Sequence, residues 1–528
     1  MVILNILLFI VVLGVIILIH EAGHFYFAKR AGILCHEFSI GMGPAIFQRR
    51  KGETIYSVRG IPIGGYVSMA GEAVSDSLIK EGQHIGLKIN EQGLVYQIIL
   101  TDKVTADVYG TVIASDLYGK DFDPLFIELK VDEEIVKYAV LRDANYQLSE
   151  KHEMWITPAE KSFESKTLWE RFLVIIAGPM MNFILAIVLF FIVGFFVQKP
   201  NLDSNQVNDI QSNYAADVAG MQQGDLLLAI DGNTINEWED IPTVLSGLDH
   251  ALLDITYERD GQVYIENDIA VSVAIQMAGL VNTYVDPDTD EVTIYNSQAI
   301  IGQSYGRAQT DGGLKQGDLI EQIIIDGTSH DVDDWNDIID IFRDYDRGSV
   351  TIVYERDGQS ANATYELISE RALNKLGTEG ILFQLGITAT SEFNLGYTLT
   401  YAPKRVVSDM GEVFTTLGLL FDGQENLGIG DLSGPVGIYS LVSNTAKQGL
   451  LSIVVFTGFL SINIGLLNLL PIPALDGGRL VFLGIEAVTK KPLPRKVKNT
   501  VNNVMFILLL VMFVFVTYKD ILRLIAGL

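Results

Sequence analysis

The stretch MVILNILLFIVVLGVIILIHEAGHFYFAKR, residues 1–30, joins a long apolar run to a cluster of ionisable side chains. Its first nineteen residues are apolar except for Asn5, and a run of this length can cross a bilayer. His20, Glu21 and His24 follow directly, although ionisable groups are costly inside a membrane and usually mark a functional site there. The stretch therefore predicts a membrane helix whose end carries chemistry. A cleaved signal peptide is the alternative, but the run lacks a basic start and a small-residue cleavage site.

The HEAGH motif has the spacing of a zinc-binding helix. One helical turn separates His20 from His24, so both imidazoles share a face and can reach one Zn²⁺. Glu21 lies beside them, where a carboxylate can act as general base toward a water molecule that zinc activates. The chain has only 7 histidines in 528 residues, which makes a chance H-E-x-x-H rare. Two surface histidines on an amphipathic helix are the alternative, which the position at the end of an apolar run disfavours.

Four apolar stretches predict four transmembrane helices. They are residues 1–19, 172–197, 450–470 and 501–518, of which the last begins with two asparagines and is the weakest signal. Basic residues cluster after the first stretch, before the second and after the third, and such loops face the cytoplasm. The N-terminus, the segment between the second and third stretches and the C-terminus are then expected outside.

Asp476 is the best candidate for the third protein ligand that a catalytic zinc usually has. The chain has one cysteine, Cys35, so a cysteine cluster is excluded. His36 and Glu37 follow the first helix closely, but they lie beyond the predicted span. Asp476 belongs to the turn-rich stretch NLLPIPALDGG, residues 468–478, where the third span reaches the cytoplasmic side. It is thus predicted at the depth of HEAGH, although an aspartate in a turn can also be purely structural.

The negative charge of the chain is concentrated in residues 201–396. The whole chain has a net charge of −28, and this segment holds 35 Asp and Glu against 8 Lys and Arg, a net −27. Such a segment repels nucleic acid and anionic headgroups, so no nucleic-acid partner is expected. The segment also repeats itself, because residues 219–232 resemble 312–327 and residues 255–262 resemble 352–359. These offsets predict two units of about 90 residues each.

HEAGH in a first span together with NLLPIPALDGGRL, residues 468–480, resembles the site-2 protease family of intramembrane zinc metalloproteases. The bacterial branch of regulator-of-sigma-E proteases is the most similar. Three further stretches fit that branch: EFSIGMGP (37–44), IPIGGYVSMAGE (61–72) and AGPMMNF (177–183). The resemblance covers the membrane part and the acidic segment, which together make up most of the chain.

The resemblance implies a role for particular residues. His20, His24 and Asp476 would be the ligands of one catalytic zinc ion, and Glu21 would be the catalytic base. Asn468 would help to hold the substrate backbone near the zinc. The stretch IPIGGYV would form a β-hairpin that dips into the membrane and pairs with an unwound substrate. Its candidate substrate-binding residues are Gly64, Gly65 and Tyr66, although a simple turn is the alternative for the two glycines.

The fold expected from these observations is a polytopic α-helical membrane protein with four transmembrane helices. The resemblance adds a membrane-reentrant β-hairpin and two extracytoplasmic PDZ-like domains. The alternation of apolar and polar residues within 73–165 predicts a small cytoplasmic β-rich insert. PDZ-like domains would bind a peptide ligand, exclude folded ectodomains by size, or only pack against the membrane part. The predicted divisions are residues 1–30 (first transmembrane helix with HEAGH), 37–72 (reentrant hairpin), 73–165 (cytoplasmic insert), 168–198 (second transmembrane helix), 201–300 (first PDZ-like domain with an insertion), 301–396 (second PDZ-like domain), 397–447 (amphipathic linker), 449–478 (third transmembrane helix and LDGG motif) and 501–525 (fourth transmembrane helix).

The function expected from the resemblance is that of an intramembrane zinc endopeptidase in a bacterial cytoplasmic membrane. Its substrates would be single-span membrane proteins, such as anti-sigma factors or signal-peptide remnants, cut within the lipid bilayer near the cytoplasmic leaflet. A non-catalytic membrane scaffold that uses the PDZ-like pair is the alternative, but a scaffold needs neither Glu21 nor the three candidate ligands. A metal or ion transporter would need more polar residues in the second and fourth spans, where Asn182 is the clearest one.

Overall fold

The structure, a computed structural model, describes residues 2–71, 78–150, 152–287, 289–345, 347–422, 428 and 432–526. The chain folds into two units. The first comprises Met1–Leu189 and Val442–Val511, and the second comprises Phe190–Leu441 and Met512–Leu528.

Helices carry the apolar stretches. In chain order they are α1 (Val2–Arg30), α2 (Leu168–Gly194), α3 (Ala215–Val218), α4 (Asp240–Ser246), α5 (Gly306–Thr310), α6 (Trp335–Arg343), α7 (Glu370–Lys375), α8 (Leu395–Phe421), α9 (Pro435–Lys447), α10 (Leu450–Leu469), α11 (Asp476–Thr489) and α12 (Arg495–Ala526). Within the described chain, four stretches are long and apolar enough to cross a membrane: Ile3–Arg30, Leu168–Gly194, Leu450–Leu469 and Lys496–Arg523. They overlap the four predicted spans, which confirms a polytopic membrane protein.

The fourth apolar helix begins earlier than the sequence predicts. α12 starts at Arg495, whereas the predicted span starts at residue 501 because two asparagines interrupt the apolar pattern there. The helix accommodates one of them, since Asn502 Oδ1 accepts a hydrogen bond from the Ala474 amide at 3.3 Å.

Strands make up most of the remaining described structure. In chain order they are β1 (Cys35–Lys51), β2 (Thr54–Met69), β3 (His84–Ile89), β4 (Val95–Ile99), β5 (Val108–Asp116), β6 (Phe126–Val131), β7 (Glu134–Ser149), β8 (His152–Trp155), β9 (Lys199–Pro200), β10 (Val207–Ile210), β11 (Leu226–Ile230), β12 (Asn233–Thr234), β13 (Leu252–Arg259), β14 (Gln262–Ala270), β15 (Ser272–Ile275), β16 (Leu280–Val281), β17 (Thr283–Val285), β18 (Val292–Ile294), β19 (Gln303–Ser304), β20 (Leu319–Ile325), β21 (Thr328–Asp331), β22 (Ser349–Arg356), β23 (Gln359–Glu366), β24 (Ile381–Gln384), β25 (Ile387–Ala389) and β26 (Ser391–Glu392).

β1 and β2 form a long hairpin directly after α1. Residues 38–40 pair with residues 65–67 on one side and with residues 56–58 on the other, so both strands fold back on themselves. Gly64 has a φ of 83°, a left-handed conformation that glycine adopts without a steric cost. Among the described strands, residues 65–69 pair with β1 alone, so this segment is the edge of its sheet. That the hairpin enters the membrane stays a prediction.

Strands β3–β8 lie in the region predicted as a β-rich insert. Their neighbours run in the order β4-β3-β5-β6-β7-β8, and a parallel pairing of β4 with β7 closes the first five strands into a small barrel. Alternate residues of such strands point inward, and Leu87, Ile98, Ile127 and Leu129 are fully buried in the barrel core. The predicted range 73–165 begins on residues outside the described part, and its cytoplasmic location stays a prediction.

The acidic segment contains two sheets with the same topology. The order β12-β11-β13-β14 of the first sheet matches β21-β20-β22-β23 of the second, so the repeat in the sequence has a counterpart in the strand order. Arg259 Nη2 donates to Asp225 Oδ2 at 2.7 Å, and Arg356 Nη2 donates to Asp318 Oδ2 at 2.6 Å. The repeated G-D and E-R-D-G stretches therefore correspond to one buried carboxylate and its guanidinium partner in each repeat. The PDZ-like assignment stays a prediction.

The two repeats are not consecutive blocks in the fold. β10 pairs with β25, β15 pairs with β24 and β9 pairs with β26, so strands after the second repeat complete sheets beside the first. β16 also pairs with β19, across the predicted boundary at residue 300. The sequence repeat indicates the strands that occur in both repeats. It carries no information on which distant strand completes each sheet.

Helices α8 and α9 occupy the region predicted as an amphipathic linker. The α8 helix begins after Asn394, whose Oδ1 accepts from the Tyr397 amide at 2.9 Å and caps the helix. Near the start of α9, the Gly437 amide donates to Asp520 Oδ2 at 2.8 Å, so a buried carboxylate of α12 binds the first turn. This hydrogen bond joins the first turn of α9 to α12.

Candidate metal centre

His20, His24 and Asp476 come together as a buried cluster in the first unit. The two histidines lie one turn apart on α1, with their Nε2 atoms 3.3 Å from each other. Asp476 Oδ2 lies 3.2 Å from His20 Nε2 and 3.3 Å from His24 Nε2. In the part of the chain that the structure describes, these three form the group of side chains that could hold a metal ion. The structure therefore brings together the three residues that the sequence predicts as ligands.

The loop after α10 places Asp476. The predicted turn exists, since Ala474 has a φ of 77°, but Asp476 is the first residue of α11. The two following glycines permit the close approach of the loop, because a Cβ at Gly477 would lie 2.1 Å from Leu470 O. At Gly478 a Cβ would lie 2.4 Å from Ile472 O. The LDGG motif thus contains one candidate ligand and two positions at which only a glycine fits this backbone.

The geometry of the cluster fits a tetrahedral zinc ion. Zn–N and Zn–O bonds of about 2.0–2.1 Å place tetrahedral ligand atoms about 3.3 Å apart. The three distances among the two Nε2 atoms and Oδ2 are 3.2, 3.3 and 3.3 Å. Two imidazole nitrogens and one carboxylate oxygen are also a donor set that zinc favours. The residues present therefore fit this metal.

Residues of α2 contact both histidines, and the sequence does not predict these contacts. His24 Nδ1 lies 2.8 Å from Val174 O, so its Nδ1–H donates to that carbonyl when Nε2 binds a metal. Asn182 Nδ2 lies 3.3 Å from His20 Nδ1. Gly178 lies between them, and a Cβ there would be 2.2 Å from His24 Nε2. Gly178 and Asn182 belong to the stretch AGPMMNF, which resembles the family but gives no individual residue a role.

The hairpin passes next to Glu21. A Cβ at Gly65 would lie 3.2 Å from Glu21 Cγ and 3.1 Å from Ile17 Cγ2, so the glycine permits this strand to approach α1 closely. Tyr66 Oη donates to Glu37 Oε2 at 2.7 Å, and Arg59 Nη2 donates to Glu37 Oε1 at 2.7 Å. The carboxylate of Glu37 is therefore engaged within the hairpin.

The other candidates lie apart from the cluster or remain predictions. His36, a weaker ligand candidate, has its Nε2 3.5 Å from Thr157 Oγ1. Asn468 Nδ2 donates to Ile464 O, one turn back in α10, at 2.9 Å. Its proposed contact with substrate stays a prediction, as do those of Gly64, Gly65 and Tyr66.

A cavity of about 780 Å³ lies along the edge segment of the hairpin. Residues 66–69 form one side, and Arg479, one turn after Asp476 on α11, lies on another. Arg171 and Glu486 also line it, and their side chains form an ion pair in which Nη2 and Oε1 are 2.5 Å apart. The cavity therefore offers space beside a strand that is unpaired on that side among the described residues.

Comparison with known proteins shows the family to which the chain belongs. The sequence model of peptidase family M50 matches residues 8–512. The chain belongs to this family. It is therefore a protease of the site-2 type, as the resemblance of its motifs predicts.

The zinc metalloprotease RasP of Oceanobacillus iheyensis is 31% identical over 520 residues, which cover 98% of each chain. The RasP protein of Shouchella clausii is 30% identical over 523 residues, covering 98% of this chain and 99% of its own. The family likeness thus extends over the insert and the acidic segment.

Proposed function

We propose that this protein is a zinc endopeptidase that cuts single-span membrane proteins within the bilayer. It is a metalloprotease of the site-2 type, zinc is its cofactor and a bacterial membrane is its location. The observation that carries the proposal is the buried cluster of His20, His24 and Asp476 beside Glu21, at the end of a helix that can span a membrane.

The chain's own residues divide the work. His20 and His24 would hold the metal through Nε2, with Asp476 completing the protein ligands. Bound zinc supplies a Lewis acid that polarises a peptide carbonyl and makes a water molecule acidic near neutral pH. Glu21 would accept the proton from that water and pass it to the leaving amine, as a general base that then acts as a general acid.

The hairpin edge suits an extended substrate. A transmembrane helix hides its amide bonds in its own hydrogen bonds, so it must unwind before it can be cut. Residues 65–69 form a sheet edge beside the cavity, and Gly65 brings that edge next to Glu21. Strand addition to this edge would hold the unwound segment near the metal. Gly64, Gly65, Tyr66 and the Asn468 amide are the proposed substrate contacts.

The basic residues that flank the spans support a sidedness for the reaction. They favour a location of HEAGH and the LDGG motif toward the cytoplasmic leaflet, with the acidic repeats and both termini outside. A cut at this depth would release a cytoplasmic fragment, as expected for anti-sigma-factor substrates in regulated intramembrane proteolysis, or would clear signal-peptide remnants. The acidic repeats would act as PDZ-like modules that bind a peptide or limit the size of the substrate's ectodomain.

The test compares the unchanged protein with Glu21→Gln and His24→Ala in detergent. Zinc content and cleavage of a model single-span substrate are measured for each. We expect about one zinc per chain in the unchanged protein and in Glu21→Gln, cleavage by the unchanged protein alone, and little zinc in His24→Ala. An unchanged protein that binds no zinc would contradict the catalytic proposal and favour a membrane scaffold. Cleavage by Glu21→Gln at the unchanged rate would remove Glu21 from the mechanism.

A further inference from the structure

We propose that Asn182 positions His20 for metal binding, with the amide oxygen of Asn182 accepting a hydrogen bond from the Nδ1–H of His20. The inference rests on the proposed function, because His20 is a ligand in that proposal. It assigns a task to a polar residue of α2 that the ligand motifs do not contain.

The surroundings of Asn182 leave one atom unsatisfied. The residue is 0% exposed, and its Nδ2 lies 3.3 Å from His20 Nδ1. Among the described residues, its Oδ1 is buried without a hydrogen-bond partner. A buried amide oxygen in this state is destabilising, and protein interiors rarely contain one.

The chemistry of the imidazole decides which end of the amide faces it. His20 Nε2 points to Asp476 Oδ2 and His24 Nε2, so a metal held by these atoms needs Nε2 without a proton. A neutral imidazole then has its proton on Nδ1, which becomes a donor and requires an acceptor. Nδ2 of an amide is a donor as well, and two donors cannot share a hydrogen bond.

A half-turn of the Asn182 amide removes the conflict between the two donors. The exchange of Nδ2 and Oδ1 is allowed, since the two ends have nearly the same shape and their assignment follows from the hydrogen bonds. Oδ1 would then face His20 Nδ1–H at the observed distance of 3.3 Å and gain the partner that it lacks. One rotation thus satisfies the amide oxygen and fixes the ring for metal binding.

The rest of α2 supports this role. Ser461 Oγ of α10 donates to the backbone oxygen of Asn182 at 2.8 Å, and Gly465 lets α10 approach, since a Cβ there would be 3.3 Å from Asn182 Cβ. His24 already has an oxygen of α2 at its Nδ1, the Val174 carbonyl at 2.8 Å. Both histidines would therefore be oriented through Nδ1 by oxygen atoms of the same helix, as metal-binding histidines commonly are.

The experiment measures zinc affinity in the purified full chain by competition with a chelator. Asn182→Leu keeps the size and removes the oxygen, so we expect zinc to bind about 10- to 100-fold more weakly. Asn182→Asp keeps an oxygen in the same place and has no N–H, so we expect affinity at least equal to that of the unchanged chain. Asn463→Leu is the matched control, because Asn463 is an amide of α10 that donates to Phe459 O, and we expect a change below twofold.

The outcomes separate this inference from the proposed function. If Asn182→Asp binds zinc as weakly as Asn182→Leu, the amide nitrogen makes the contact and the inference is wrong. It is also wrong if Asn182→Leu binds zinc like the Asn463→Leu control. Asn182→Ala replaces the leucine variant if that one does not fold, which the melting temperature of the zinc-free protein reports. An unchanged chain without zinc affinity would overturn the proposed function itself.

Discussion

Gly178 has no side chain, and the imidazoles of His20 and His24 lie where its Cβ would be. A side chain at this position should therefore weaken zinc binding. A Cβ at residue 178 would lie 2.2 Å from His24 Nε2 and 2.8 Å from His20 Nε2. To restore a contact of 3.4 Å, the shortest in the ordinary range, His24 Nε2 would have to move by about 1.2 Å (3.4 less 2.2). Metal–ligand distances tolerate only about 0.2 Å, so Gly178→Ala cannot keep both histidines in place.

We expect Gly178→Ala to bind zinc at least about 100-fold more weakly, which corresponds to about 2.7 kcal/mol. A displaced ligand should weaken zinc binding at least as much as the loss of a residue that orients a ligand, which costs about 10- to 100-fold in metal affinity. Chelator competition measures the affinity, and cleavage of a single-span substrate should fall with it.

Gly14→Ala is the matched control for this prediction. Gly14 also lies in an apolar helix, and within the described structure nothing lies within 4 Å of a Cβ there. Both variants add the same methyl group to a helix, so they differ in what that group meets. Equal zinc affinity of the two variants would refute the argument that Gly178 gives the ligands their room.

Three further predictions concern stability. Arg356→Gln leaves the carboxylate of Asp318, which is 0% exposed, without its partner, and should lower the free energy of unfolding by about 2–3 kcal/mol in chemical denaturation. Lys375→Gln, in an exposed ion pair, should cost below about 1 kcal/mol, and equal losses would contradict the reasoning. Burial raises the pKa of Asp409 to about 6, so the free energy of unfolding of the unchanged protein should fall as pH rises from about 4 to 6. Asp409→Asn should have a higher melting temperature than the unchanged protein at pH 7, and its stability should depend less on pH. Parallel stability profiles of the two proteins would contradict this prediction. Chelation of zinc should lower the melting temperature of the unchanged protein. Zinc at about 1,000 times its Kd should then add about 4 kcal/mol to the free energy of unfolding of the unchanged protein and nothing to that of His24→Ala. Stabilisation of His24→Ala by zinc would contradict the assignment of His24 as a ligand.

The sequence predicts the parts of the site that depend on local spacing. His20 and His24 share a helix face by the geometry of any α-helix, and the apolar run before them suffices to predict the helix. Asp476 is far away in sequence, and its prediction depends on a shared depth and on the family motif. The structure brings these three residues within bonding reach of one ion.

The contribution of α2 could not be predicted in the same way. Val174, Gly178 and Asn182 contact the histidines because of how α1 and α2 pack, and no local pattern encodes which face of an apolar helix meets which neighbour. The approach of Gly65 to Glu21 likewise depends on the way the hairpin folds back. In both cases small residues mark the contact, but smallness alone does not name the partner.

The strand pairings of the acidic segment have a consequence for how the chain is made. Lys199 and Pro200, just after α2, pair with Ser391 and Glu392, which come 192 residues later in the chain. At about 5–20 residues per second, the ribosome needs roughly 10–40 s to supply those partners. During this time β9 and β10 exist without the strands that complete their sheets, while β20–β23 can already form the sheet of the second repeat. The sheet of the second repeat can therefore form before the strands that pair with β9 and β10 have been synthesised.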